Sequence, residues 1–137
     1  MVANTKKIPS KIIIDASLAL AFLLPDEDKG KVEPIFEAIA KRKAKALVPS
    51  LFYFEVGNGL RSAVLSKRIT KLLANKLLEN FLLLPFEEKE TGLLPVFNKA
   101  VKHQLSVYDA TYLNLAQDQK VPLFSLDKKL TRLANKF

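Results

Sequence analysis

Three β-branched residues in a row, Ile12-Ile13-Ile14, end at a carboxylate, Asp15, and an apolar stretch from Ser17 to Leu24 follows before Pro25. A run so short and so uniformly apolar suits a strand buried on both faces of a parallel sheet, where helices cover either side. The pattern recurs. Ala46-Leu47-Val48 precedes a helix that opens at Pro49-Ser50 and continues through Leu51, Phe54, Glu55, Asn58 and Leu65. Val121-Pro122-Leu123-Phe124 precedes a short helix from Asp127. Between these, Asp26 to Lys45 carries apolar positions at Val32, Ile35, Phe36, Ile39 and Ala40, the 3.6-residue rhythm of a helix, with Pro34 tolerable in its first turn. Thr70 caps a predicted helix over 71–80, 81–86 reads as a third strand, and 87–103 as a helix whose Glu87, Glu88 and Glu90 suit its dipole. A further helix is predicted over 106–117. Strands alternating with helices predict an α/β domain with a parallel sheet. Pro122 lacks an N–H, so its strand should lie at a sheet edge or begin there.

The chain is 137 residues long, a one-domain length, with residues 1–10 expected as a short extension and 11–137 as the domain. No cysteine is present and His103 is the only histidine. Thiolate metal sites, cysteine nucleophiles and multi-histidine centres are thereby excluded. The chemistry left is that of carboxylates, hydroxyls, amides and cations. Twenty-two Lys and Arg against 14 Asp and Glu give a formal charge of +8, which favours a polyanionic partner. Lys6, Lys7 and Lys11 before the apolar run look like a signal peptide at first sight. However, Asp15 lies inside the run and the run is too short to span a bilayer. The expectation is a cytoplasmic protein with no membrane association.

Four carboxylates sit in unusual contexts. Asp15 follows the first strand, at the sheet edge where open parallel sheets bind ligands, although it could merely cap the next helix. Glu55 lies among Leu51-Phe52-Tyr53-Phe54 and Val56, where a buried charge is costly unless paired or metal-bound; the alternative, which Tyr53 and Asn58 allow, is a surface position on an amphipathic helix. Ser106-Val107-Tyr108-Asp109 reads as a capping box in which Asp109 satisfies a helix N–H. Asp127 follows the last strand and could cap the last helix. Taken together, these placements suggest carboxylates converging on one edge. They would repel one another unless a divalent cation neutralised them, and oxygen-only ligands select Mg²⁺ or Mn²⁺. Such a site favours phosphoester chemistry.

In these stretches the sequence resembles the PIN-domain family, in particular the VapC-type ribonuclease toxins. The matching pieces are Ile14-Asp15-Ala16-Ser17, the run from Pro49 to Arg61 around Glu55, Leu105 to Leu113 around Asp109, and Leu123 to Leu130 around Asp127, in the family's order. The resemblance implies a three-layer α/β/α fold around a central parallel sheet of four to five strands. It also implies a metal-dependent endoribonuclease using Mg²⁺ (or Mn²⁺), the toxin of a type II toxin–antitoxin pair, with RNA as substrate, a cognate antitoxin as partner, and a homodimer. Asp15, Glu55, Asp109 and Asp127 match the family's acidic quartet, with Asp15, Asp109 and Asp127 the expected metal ligands. Ser17, Asn58 and Ser125 match supporting polar positions, Ser125 standing where Thr or Ser is usual.

With the quartet assigned to metal, 22 basic residues face the remaining 10 acidic ones, and that surround suits RNA phosphates. Arg61, Lys67, Arg68, Lys128 and Lys129 are the candidate contacts. Phe52, Leu72, Leu73 and Leu77 are expected to bury apolar surface against a second copy. A haloacid-dehalogenase-like phosphatase needs a second carboxylate where Ser17 stands, and a receiver domain needs a phosphoacceptor Asp after its third strand, where Pro85-Phe86-Glu87 stands instead. Both fit poorly. The alternative of another class is a non-catalytic PIN-like module that binds RNA or a partner; loss of an acidic residue would favour it, and none is missing.

Overall fold

The computed structural model describes residues 7–135. Residues 1–6 of the expected extension, and 136–137 at the end of the expected domain, lie outside the described residues; residues 7–10 are neither helix nor strand. The elements run β1 (Lys11–Ile14), α1 (Ala16–Leu23), α2 (Glu33–Ala40), β2 (Lys45–Val48), α3 (Leu51–Leu65), α4 (Lys71–Phe81), β3 (Glu87–Glu88), α5 (Leu93–His103), α6 (Val107–Gln119), β4 (Leu123–Phe124) and α7 (Lys128–Ala134).

The four strands form one parallel sheet in the order β3-β2-β1-β4. β1 pairs with β2 from Lys11↔Lys45 to Ile13↔Leu47, and with β4 at Ile13↔Leu123 and Ile14↔Phe124. The chain moves outward from β1 through β2 to β3 and then crosses back to β4, so the strand order reverses between β1 and β4. At such a reversal a parallel sheet opens a crevice beyond the carboxyl ends of its strands. Asp15 and Ser125, the first residues past β1 and β4, stand at its mouth. As Pro122 indicated, β4 is an edge strand, and the Pro122 carbonyl accepts from Ile13 N at 2.9 Å.

The helices pack in two groups, α1 with α3 and α3 with α4, then α5 with α6 and α6 with α7, β1 and β4. This is the three-layer α/β/α arrangement. Ile12, Ile13 and Ile14 are fully buried between the layers. In α6 the burial is continuous from Tyr112 to Ala116, because α5, α7 and the sheet cover it together. Gly59 sets the spacing of α1 and α3: a Cβ there would lie 2.3 Å from the side chain of Leu20. The contact offsets the roughly 1 kcal/mol that glycine costs inside a helix.

Several expectations need correction. The helix predicted over 26–45 shrinks to α2, because Gly30 interrupts its first part, Lys29 turns back, and Lys45 already belongs to β2. The Lys29 ammonium donates to the carbonyls of Ala21, Phe22 and Leu24 at 3.2, 2.8 and 2.7 Å, closing the end of α1. The predicted strand 81–86 is absent: Phe81 ends α4 and the chain turns before β3. The apolar residues of this stretch serve an aromatic cluster, with the Phe81 and Phe86 rings 5.0 Å apart and both against Phe52. Phe52 is therefore fully buried and cannot serve a dimer surface. The helix expected from Glu87 begins only at Leu93, so Glu87, Glu88 and Glu90 lie off it. Instead, Glu90 accepts from Ser50 N at 3.1 Å and Ser50 Oγ at 2.8 Å, at the start of α3. Among the described residues no helix is long and apolar enough to cross a membrane.

Candidate active site

Asp15 is only 6% exposed, and both of its oxygens are engaged. Oδ1 accepts from Ser17 Oγ at 2.7 Å and Leu18 N at 3.2 Å, and Oδ2 accepts from Ser125 Oγ at 2.5 Å. A buried carboxylate needs partners of this kind. The bond from Leu18 makes Asp15 the N-cap of α1, so capping and a place at the crevice follow from one position. The two serines also fasten the end of β4: Ser125 Oγ accepts from Asp127 N at 3.0 Å, and Ser17 Oγ accepts from Leu126 N at 3.1 Å. Asp127 caps α7 by accepting from Leu130 N at 3.1 Å.

Glu55 and Asp109 arrive from opposite helical layers, on α3 and α6. Tyr112, buried on α6, donates its hydroxyl to Glu55 Oε1 at 2.6 Å and so joins the layers over the sheet edge. Ser106 caps α6 by accepting from Asp109 N at 3.0 Å. Among the described residues no backbone N–H donates to the Asp109 carboxylate, which corrects the capping role expected for that side chain. Burial pushes the Asp109 carboxyl above its ordinary pKa, and the charges of Asp127 and Asp15 push it further, against the Ser106 hydroxyl. Burial also raises Glu55; the Tyr112 bond opposes this, and Asp109 and Asp15 add to it. Tyr112 itself is pushed far up, first by burial and then by Glu55, so it stays a donor.

The four expected carboxylates thus form one electrostatic unit, and none is paired with a Lys or Arg among the described residues. Nor do three of them close into a cage there. An open set of oxygen ligands fits Mg²⁺ or Mn²⁺ chemistry, since Mg²⁺ is commonly held by one or two carboxylates and keeps several waters. Zinc would call for nitrogen or sulfur ligands that the crevice lacks.

The other expected residues divide. Ser17 and Asn58 line, with Glu55, a groove of about 650 Å³ beside the carboxylates, and Asn58 and Arg61 line an adjoining groove of about 440 Å³. Lys128 lines a third, of about 640 Å³, with Ser125. Lys129 is exposed on α7. Lys67 and Arg68 lie beyond the far end of α3, about 15 Å along the helix from Glu55 at 1.5 Å per residue. Arg68 is engaged there, bidentate to Asp26 at 2.7 and 2.8 Å and to Glu27 at 3.0 Å. Sequence reasoning missed Tyr112 and Arg132. Tyr112 lies three residues after Asp109, one helical turn on, and that spacing was the available signal. Arg132 shares the Lys128 groove at i+4.

Fold and crevice together define a three-layer α/β/α domain that gathers acidic side chains where its parallel sheet reverses. The PIN domain family model matches residues 12–136, and the chain belongs to the PIN-domain family. It is 30% identical over 124 residues to Ribonuclease VapC3 of Pyrobaculum aerophilum, an alignment spanning 88% of this chain and 92% of that protein. It also shares its fold with the crystal structure of PAE2754 from Pyrobaculum aerophilum, at a TM-score of 0.72 and 22% identity, over 90% of this chain and 84% of that one.

Proposed function

We propose that the chain is a metal-dependent endoribonuclease that hydrolyses RNA phosphodiester bonds, and the toxin of a type II toxin–antitoxin pair. The observation that carries this reading is that Asp15, Glu55, Asp109 and Asp127 gather at the sheet reversal with no Lys or Arg paired to any of them among the described residues. Kinship with a VapC ribonuclease supplies the substrate class. Asp15 and Asp109 would hold the divalent ion, with Asp127 as the further ligand. Ser17 and Ser125 lock the Asp15 carboxylate in one orientation. A bound Mg²⁺ or Mn²⁺ supplies Lewis-acid polarisation of the phosphate and lowers the pKa of a water. Glu55, held by Tyr112, orients the attacking water, and in-line displacement leaves a 5′-phosphate and a 3′-hydroxyl. Arg61 on one side of the crevice and Lys128 with Arg132 on the other meet flanking phosphates.

An antitoxin protein is the cognate partner, and the chain pairs with a second copy. Leu72 and Leu73 on α4 remain exposed for that contact, and α5 adds Leu93, Leu94, Phe97 and Val101. The test is cleavage of an end-labelled RNA with Mg²⁺, Mn²⁺ or EDTA. Cleavage with either metal, lost in EDTA, is expected; undiminished cleavage in EDTA contradicts the metal mechanism. Light scattering should report a dimer at micromolar concentration.

A further inference from the structure

Beside the carboxylates the 650 Å³ groove has two aromatic walls, and neither takes part in the core. Phe54 on α3 is 80% exposed and Tyr108 on α6 is 62% exposed, yet both line this groove with Ser17, Glu55 and Asn58. Neither ring pairs with another ring among the described residues, whereas Phe22, Phe36, Phe52, Tyr53, Phe81 and Phe86 pair with one another in stacked, tilted or edge-on contacts. The Asn58 amide has no hydrogen-bond partner among the described residues. Phe54 and Asn58 also form part of the adjoining groove, whose only charged lining residue is Arg61. Arg61 has no carboxylate partner among the described residues.

Each feature calls for a particular chemistry. Two unpaired π faces accept a flat aromatic ring. A free amide offers both a donor and an acceptor to a ring edge. An unpaired guanidinium one helical turn further accepts an anion. An apolar protein anchor in the same place would bury Asn58, Ser17 and the charge of Glu55 without returning hydrogen bonds. A nucleotide meets all three demands at once, since it presents a π face, a polar edge and a phosphate.

Resting on the endoribonuclease reading above, we propose that Phe54 and Tyr108 form a nucleobase-binding subsite next to the reacting phosphate. Asn58 reads the edge of the stacked base and Arg61 takes the phosphate of the next nucleotide. The subsite therefore selects the cleavage position by the base that fills it, while the carboxylates perform the chemistry.

The test uses the full chain and a single-stranded RNA that it cleaves at a mapped bond, with derivatives that each carry one abasic ribose near that bond. KM and kcat are measured for the wild type, Phe54→Ala, Tyr108→Ala and the double variant. With the wild type, one abasic position should raise KM roughly five- to 150-fold, the loss expected for one stacked base. The alanine variants should show a loss of the same order on intact RNA, falling on KM more than on kcat, and no further loss on the RNA abasic at that position. Phe54→Tyr should restore the wild-type KM. Cleavage that persists with the same KM for every protein and every RNA overturns the subsite and leaves the nuclease reading standing. Altered dimerisation of the alanine variants, with no dependence on the abasic position, assigns the rings to a contact between copies and also overturns it. A wild type that cleaves no RNA with either metal overturns the nuclease reading itself.

Discussion

The two sides of the acidic crevice are built differently. On the strand side, the buried charge of Asp15 meets three donors, and Ser17 and Ser125 tie the ends of β1 and β4 together around it. On the helix side, Glu55 and Asp109 are half-buried on elements from opposite layers and are pushed up by burial and by neighbouring carboxylates. The Tyr112 and Ser106 hydroxyls oppose that rise. The strand side is settled by the protein alone, whereas the helix side keeps unrelieved repulsion. A divalent cation would accordingly be felt most strongly at Asp109.

The largest effects should fall on turnover. Asp15→Asn and Asp109→Asn should each lower RNA cleavage roughly 10²- to 10⁴-fold, the equivalent of the several kcal/mol of charge stabilisation a metal supplies. Single-turnover assays will show it. Stability separates the two sides. Asp15→Ala should cost about 1–3 kcal/mol in urea unfolding, because it removes a helix cap and strands the hydroxyls of Ser17 and Ser125.

Gly59→Ala sharpens the contrast without touching a carboxylate. It drives a Cβ into Leu20 and should cost about 1–3 kcal/mol, with reduced cleavage as the helix carrying Glu55 is displaced. Gly57→Ala meets nothing within 4 Å and should instead stabilise by about 0.5–1 kcal/mol. If both glycines respond alike, the close packing of α1 on α3 is not what positions Glu55.

Tyr112→Phe removes the one hydrogen bond that lowers the Glu55 pKa. Glu55 works ionised in the proposed mechanism, so the acid limb of the pH–rate profile should move to higher pH, and stability should fall by about 1 kcal/mol. An unmoved acid limb would separate Glu55 from the water-orienting role.

The pH dependence of stability has a definite sign. Carboxyls raised in the folded state bind protons more tightly folded than unfolded. The stability they contribute is full below the ordinary values of 3.8 for Asp109 and 4.5 for Glu55, and is lost as pH rises through their raised values. Asp109→Asn should flatten that decline. At pH 7 without metal it should stabilise by about 0.5 kcal/mol, a small gain because water screens charge at a half-buried position.

The strand side was the more legible in the sequence. Asp15, Ser17, Ser125 and Asp127 adjoin short apolar strands, and adjacency along the chain carries over into space. On the helix side, Glu55 and Asp109 were recognised in their motifs, but the Tyr112–Glu55 bond spans 57 positions and depends on how two layers meet. Stretch 81–88 misled for a related reason: its phenylalanines look like strand residues, yet they pack on Phe52 of α3, and only Glu87-Glu88 pairs with β2. Arg68 could not be separated from Arg61 by residue type. The separation comes from Asp26 and Glu27, 42 and 41 positions away, which both engage Arg68.

The most direct measurement is the thermal midpoint of the wild type and Asp109→Asn, side by side, across a Mn²⁺ titration. Without metal the variant should melt roughly 2 °C higher, since one repelling charge is gone. As Mn²⁺ rises, the wild type should gain stability through binding to the folded state and overtake the variant, which lacks a principal ligand. That crossing is the predicted result. Two curves that keep the same order and spacing at every Mn²⁺ concentration would contradict the account.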